Sequence, residues 1–209
     1  MTRGEGVATG SPLWRAIRWI HRRRPLLTAF FVIAVIGMAL FDPSPPADLI
    51  RPRPTFLFVV PWLLMIIGVA VRIWGAGNLR KNREITRTGV YRMVRHPLYV
   101  GSLAMFLAMF LTVGDPVTGA ALFATMVVLV YYPTMMDEEA YLQEHFPEQT
   151  ADYVHLPRLL PNVFRIGDAM RSDRFTVSAA RANLGLRSLG FLIALPALLE
   201  LLRWIEGRI

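Results

Sequence analysis

Apolar positions along this chain gather into long blocks separated by short polar punctuation. Four blocks, Pro25 to Phe41, Thr55 to Gly77, Tyr99 to Val113 and Val117 to Pro133, approach the roughly 20 residues a helix needs to cross a hydrocarbon layer. A fifth, Ser188 to Leu202, is shorter, holds Pro196 and meets Glu200 before its end, so a span, a re-entrant helix and an interfacial helix all satisfy its pattern. The pattern predicts an all-α, polytopic transmembrane helical bundle of about five spans.

The punctuation adds order to these blocks. Residues 1–24 read as a polar leader in which Leu13, Trp14, Ile17 and Ile20 recur at the spacing of a surface-lying helix. Arg22, Arg23 and Arg24 precede the first block with no clean small-residue cleavage site after it, which favours an uncleaved anchor. Five prolines between Asp42 and Pro54 predict an extended connection. The short link VGDPVTG, where Gly114 can end one helix and Pro116 can open the next, predicts a tight antiparallel hairpin of the third and fourth blocks. Reflection about Asp115 then sets Tyr99 level with Tyr131 and Arg92 level with Glu138, so GVYRMVRHPLYVG and YYPTMMDEE share one rim. From Asp137 the chain turns polar. Residues 137–186 are long enough to cap that rim, with Phe146, Tyr153, Leu156, Leu159, Leu160 and Phe164 as apolar anchors. The domain reading is a leader over 1–24 and a membrane domain over 25–205, with its core at about 72–165.

Charge changes the picture. The 209 residues are 54% hydrophobic yet carry a formal charge of +8, a balance that first suggests nucleic acid. Its distribution argues against that partner: six Lys or Arg precede the first block, six separate the second from the third, and six separate the fourth from the fifth. Basic residues in alternate loops follow the positive-inside rule, with the N-terminus and the 89–101 rim cytoplasmic and facing anionic lipid. The expected protein is an integral, multi-pass membrane protein whose site faces the cytoplasm, with no obligate protein partner. Cysteine is absent, which excludes disulfides and thiolate metal sites; no metal centre is expected.

At the rim, Pro97 suits the first turn of a helix, and headgroup snorkelling explains Arg95 and His96 as well as a site would. Glu138 and Glu139 are harder to leave alone, because paired carboxylates near a helix C-terminus are unfavourable without a cation. Arg92, Arg95 or a ligand ammonium or sulfonium can answer them. Arg72, inside an apolar block, either faces a polar interior or snorkels.

RHPLYVG at 95–101, EE at 138–139 and Tyr153 followed by PRLLP at 157–161, with VRIWGAGNL upstream, resemble the isoprenylcysteine carboxyl methyltransferase family and its phospholipid N-methyltransferase and thiol methyltransferase relatives. The resemblance covers roughly residues 65–165. It implies a membrane methyltransferase that binds S-adenosyl-L-methionine at the cytoplasmic rim without a Rossmann domain; no G-x-G-x-x-G follows any predicted strand. Tyr91, Arg95, His96, Pro97, Tyr99, Gly101, Tyr131, Glu138, Glu139 and Leu160 would bind the cofactor, and Arg95, Glu139 and Arg158 would be catalytic. Val90, where the family often has proline, and YVHL before PRLLP depart from the pattern and bear on substrate choice. The acceptor would be a lipophilic small molecule or membrane lipid. A prenylated cysteine, a phospholipid amine, an isoprenoid lipid and a small thiol all fit. A carboxylate acceptor needs no base, whereas an amine or thiol must lose a proton, for which His155 is the sequence's candidate. Sterol-type reductases share a similar Arg-His-Pro-x-Tyr-x-Gly stretch with a nicotinamide cofactor, but tend to have Asn and Glu where Leu98 and Ser102 stand. A non-catalytic membrane scaffold is the remaining class.

Reporter fusions after Asp48, Arg83, Asp115 and Asp168 should report external, cytoplasmic, external and cytoplasmic positions in turn. An external Arg83 would overturn the topology.

Overall fold

A computed structural model describes residues 11–41, 46–51, 55–81 and 84–206, and among them the chain is helical with no strand. The first helix, α1 (Pro12–Ala39), begins where the Ser11 side chain accepts the Trp14 N–H at 3.3 Å. It continues through Pro25, although an interior proline removes one backbone hydrogen bond. The described part of the leader and the first apolar block are therefore one helix, and Ile17 is buried in its N-terminal half. Residues 1–10 of the leader, and 42–45 and 52–54 of the proline-rich connection, lie outside the described residues. The connection's described part is docked: Ala47 N–H donates to Thr112 O at 2.9 Å, and Arg203 pairs with Asp48 at 3.0 Å.

Helix α2 (Phe56–Asn78) crosses α3 (Pro97–Thr112) at two glycines. A Cβ on Gly101 would lie 2.5 Å from Gly68 O and 2.5 Å from Arg72 Cγ, so the two backbones meet where neither residue has a side chain. Gly101, placed in the cofactor pocket by the family resemblance, is required here for packing. Nearby Arg72 donates to Leu98 O at 3.3 Å and to the Ser102 hydroxyl, binding α2 to the first turn of α3.

The expected hairpin follows. Asp115 caps α4 (Pro116–Met126) by accepting the Thr118 N–H at 2.7 Å, and Gly119 lies directly against Phe110 O. A π-helical turn at Val127–Tyr131 then leads without a break into α5 (Tyr132–His145). Across the hairpin the Tyr99 and Tyr131 rings meet edge to face at 5.7 Å, the level expected by reflection. The last helix, α9 (Phe191–Glu206), is not broken by Pro196.

Among the described residues three helices are long and apolar enough to cross a membrane: Phe56–Asn78, Pro116–His145 and Gly185–Ile205. The apolar helix Pro97–Thr112 is shorter. Phe110, Met65, Met126, Met135, Leu195 and Leu199 fill the interior, while Phe30, Ile33, Leu63, Ile66, Leu129 and Ile193 face outward. An outward apolar band on helices of this length is a lipid-facing surface, and the chain is an all-α membrane bundle.

Short helices α6 (Pro147–Tyr153), α7 (Ile166–Arg171) and α8 (Val177–Ala182) form the cap. Its far side is bound to fully buried Asn78, whose amide donates to Trp74 O at 3.1 Å and Asp173 Oδ1 at 2.6 Å and accepts from Thr88 Oγ1 and Arg174 N–H. Gly89, at φ +57°, presses on the same amide.

Gly101→Ala should lower stability by about 1–3 kcal/mol through overpacking, whereas Gly37→Ala, with nothing within 4 Å of the new Cβ, should be neutral or slightly stabilising. Thermal unfolding in detergent compares the two.

Candidate active site

Ahead of Pro97 at the start of α3, His96 takes a non-helical conformation, φ −120° and ψ 62°, and the side chains just before the helix turn back toward α5. They converge on one carboxylate. Glu139, whose side chain is only 12% exposed, receives Arg95 Nη1 at 3.2 Å and His96 Nε2 at 3.0 Å. Arg158 completes the set with a two-pronged contact, Nε 3.0 Å from Oε1 and Nη2 2.9 Å from Oε2. The Arg158 guanidinium also donates to Tyr132 Oη at 3.0 Å. Three separate chain segments thus meet on Glu139.

Arg95 holds the lid as well. Its backbone N–H donates to Pro157 O at 2.9 Å, its Nε to Leu156 O at 2.5 Å and its Nη2 to Val154 O, while Asn162 N–H returns to Met93 O at 2.9 Å. Buried Tyr153 lies under the guanidinium at 5.8 Å and edge-on to His96 at 6.5 Å. Burial, and next the Glu139 charge, push its phenol above the ordinary tyrosine range.

Glu138 is the more open carboxylate, with a side chain 37% exposed. Tyr99 Oη donates to it, His96 Nδ1 stands 3.8 Å away, and Arg24 of α1 reaches 3.8 Å from the same carboxylate while donating to Tyr99 Oη. The Arg24 guanidinium lies 5.2 Å from the Tyr99 ring centre. One turn earlier, His21 Nδ1 meets Asp137 Oδ2 at 2.5 Å. Sequence reasoning missed Arg24, His21 and Asp137. The triple arginine signalled only a membrane boundary, and nothing local tells that α1 returns to α5.

Most of the expected residues come together: Arg95, His96, Tyr99, Tyr131, Glu138, Glu139 and Arg158 form one cluster. Pro97 serves through backbone geometry and packs near Gly75. Tyr91 sits in a neighbouring apolar cluster with Val90 and Val94. Leu160 is 82% exposed, and Phe164, read as another inward anchor, is 95% exposed. The level pairing of Glu138 with exposed Arg92 gives way to Arg24 and His96, because Arg92 lies in a short 3-10 turn ahead of α3, where the rise of that helix no longer sets its level. A cavity of about 330 Å³ lies at the opposite end of the hairpin, lined by Val35, Ala39, Asp115 and Leu122 among others, away from the carboxylates.

Residues 56–149 match the sequence model of the phospholipid methyltransferase family. That match, α2 through the start of α6, agrees with the resemblance to the isoprenylcysteine carboxyl methyltransferase-like group of membrane methyltransferases that the motifs carry. The nickel-cobalt-cadmium resistance protein NccN of Alcaligenes xylosoxydans xylosoxydans is 32% identical over 94 residues, 44% of this chain and 44% of that relative's length. The match thus spans less than half of the relative. No solved structure matches. The family segment carries Arg95, His96, Tyr99, Glu138 and Glu139, but begins after His21 and Arg24 and stops before Arg158.

Arg158→Ala should loosen the lid. With charged hydrogen bonds contributing about 1.5–3 kcal/mol, backbone amides across 154–162 should exchange at least about tenfold faster, as hydrogen–deuterium exchange mass spectrometry would read.

Proposed function

We propose that this chain is an S-adenosyl-L-methionine-dependent methyltransferase that acts on a lipophilic acceptor, with its site on the cytoplasmic side. The observation that carries the reading is the rim cluster itself, a half-open carboxylate at Glu138 beside guanidinium groups and tyrosine rings, within a methyltransferase family segment. The cofactor presents an ammonium, a carboxylate, a sulfonium and an adenine, and the chain's donor set fits each class. Glu138 suits the ammonium, Arg24 and Arg95 suit the carboxylate, and Tyr99 and Tyr131 suit the sulfonium or adenine face. Glu139, already bound by Arg95, His96 and Arg158, holds the wall and lid in place. When bound, the cofactor supplies an electrophilic methyl group. The chain's contribution is alignment and exclusion of water by the 154–162 lid, which supply most of the gain in a direct displacement.

A lipophilic carboxylate acceptor, as in the isoprenylcysteine-directed relatives, arrives ionised and asks for no base. A second reading, methylation of a phospholipid amine or a thiol, is favoured by the His21–Asp137 pair. A carboxylate accepting from Nδ1 leaves Nε2 as the basic nitrogen, the arrangement a general base needs. His155, the sequence's candidate base, is exposed. His155→Ala should therefore cost little for any acceptor. His21→Gln should lower turnover of an amine or thiol by about 10²–10⁴-fold and leave a carboxylate acceptor nearly unaffected.

Calorimetric titration tests the cofactor assignment directly. S-adenosylhomocysteine should bind the wild-type protein, and Glu138→Gln should weaken it by at least about tenfold, the loss of one charge-assisted hydrogen bond. Heat with NADPH and none with S-adenosylhomocysteine would replace this function with reduction.

A further inference from the structure

Two of the residues expected to anchor the cap inward, Leu160 and Phe164, point outward, and Val163 and Met170 join them. Leu160 is 82% exposed, Val163 62%, Phe164 95% and Met170 65%, a density of bare apolar side chains unusual for a segment in water. The depth of this segment is set by two contacts. Backbone hydrogen bonds from Arg95 to Pro157 and from Asn162 to Met93 lay 157–162 alongside 93–95, immediately before α3 enters the apolar layer at Pro97. Independently, Arg158 reaches Tyr132 Oη, and Tyr132 belongs to the aromatic pair at the end of the apolar block Val117 to Pro133, where the long helix Pro116–His145 turns polar, the level where tyrosines meet headgroups. The segment therefore lies at the height of the membrane surface rather than beyond it.

Its charge matches the same neighbour. Between 157 and 187 the chain carries six arginines against two aspartates. Arg165 and Arg171 are exposed beside Phe164 and Met170, and no ion pair involves either of them among the described residues. Apolar side chains interleaved with arginines are the composition of an interfacial membrane contact.

We propose that residues 160–171 form a membrane-surface contact, in which Leu160, Val163, Phe164 and Met170 enter the headgroup–acyl boundary of the anionic leaflet and Arg165 and Arg171 meet lipid phosphates. The contact sets the lid edge into the bilayer from which a lipophilic molecule would approach the rim cluster. It rests on the membrane fold and not on the methyl-transfer reading, so either can fail alone.

The absence of native cysteine makes single-site spin labelling direct. Phe164→Cys, Leu160→Cys and, as a water-facing control, Glu144→Cys are labelled in the full chain and placed in nanodiscs of phosphatidylcholine with phosphatidylglycerol. Labels at 164 and 160 should collide with oxygen several-fold more, relative to a soluble nickel chelate, than the label at 144. Replacing Arg165 and Arg171 with glutamine should lower the immersed-to-exposed ratio at 164 by about fivefold per arginine, equivalent to about 1 kcal/mol for each basic residue near an anionic surface. Nickel accessibility at 160 and 164 equal to that at 144 would overturn the proposal. Dipolar broadening between labels on separate molecules would overturn it in favour of a second copy of this chain covering the face.

Discussion

A carboxylate near the rim of a membrane helix bundle is stable only where cations and donors surround it, because water is partly excluded and the field of an unpaired charge is weakly screened. Glu139 meets this constraint by drawing on three stretches of chain: Arg95 and His96 ahead of α3, its own helix α5, and Arg158 from the lid. None of those segments forms this junction from local preference. Once the charge is placed there, the turn before α3 and the lid are both held to it, and Arg95 extends the hold through the carbonyls of Val154, Leu156 and Pro157. Removing Glu139 itself would leave Arg95 and His96, both largely buried, without their counter-charge, a larger loss than any single hydrogen bond.

The two adjacent glutamates divide the work because their surroundings differ. Glu139 is enclosed and fully engaged, while Glu138 remains more than one-third exposed beside Tyr99 and Arg24. Enclosure suits a carboxylate that organises structure, and partial openness suits one that can exchange a protein partner for a ligand cation. The π-helical turn at Val127–Tyr131 matters to this division. Without its register offset, α5 would present other faces of positions 137–139 to α1 and α3.

The cap is fastened at two places of different character. Toward the carboxylates it is held by charge, and toward the end of α2 by the buried Asn78 amide, which reaches Asp173, Thr88 and Arg174. Between the two fastenings the chain turns Leu160, Val163 and Phe164 outward. An apolar edge at that height gains by entering lipid and loses by facing water, so the same membrane that stabilises the helices bears on the position of the lid.

Block length and loop composition, by themselves, determined the helical membrane architecture, since a spanning helix must satisfy its own backbone groups and carry a continuous apolar run. The α3–α4 hairpin was legible for the same local reason: VGDPVTG leaves few residues between helices, and the facing of Tyr99 and Tyr131 follows from helical rise alone. The motif residues Arg95, His96, Glu138, Glu139 and Arg158 could be named from sequence. The partner of each could not, because a one-residue insertion in register changes which side chains meet. Tertiary structure alone decided that α1 returns Arg24 and His21 to the cluster, that Gly101 serves a helix crossing, and that Leu160 and Phe164 face out rather than in. Each of these depends on the rotation of one element about another, and apolar periodicity constrains that rotation weakly when lipid and protein interior are almost equally apolar.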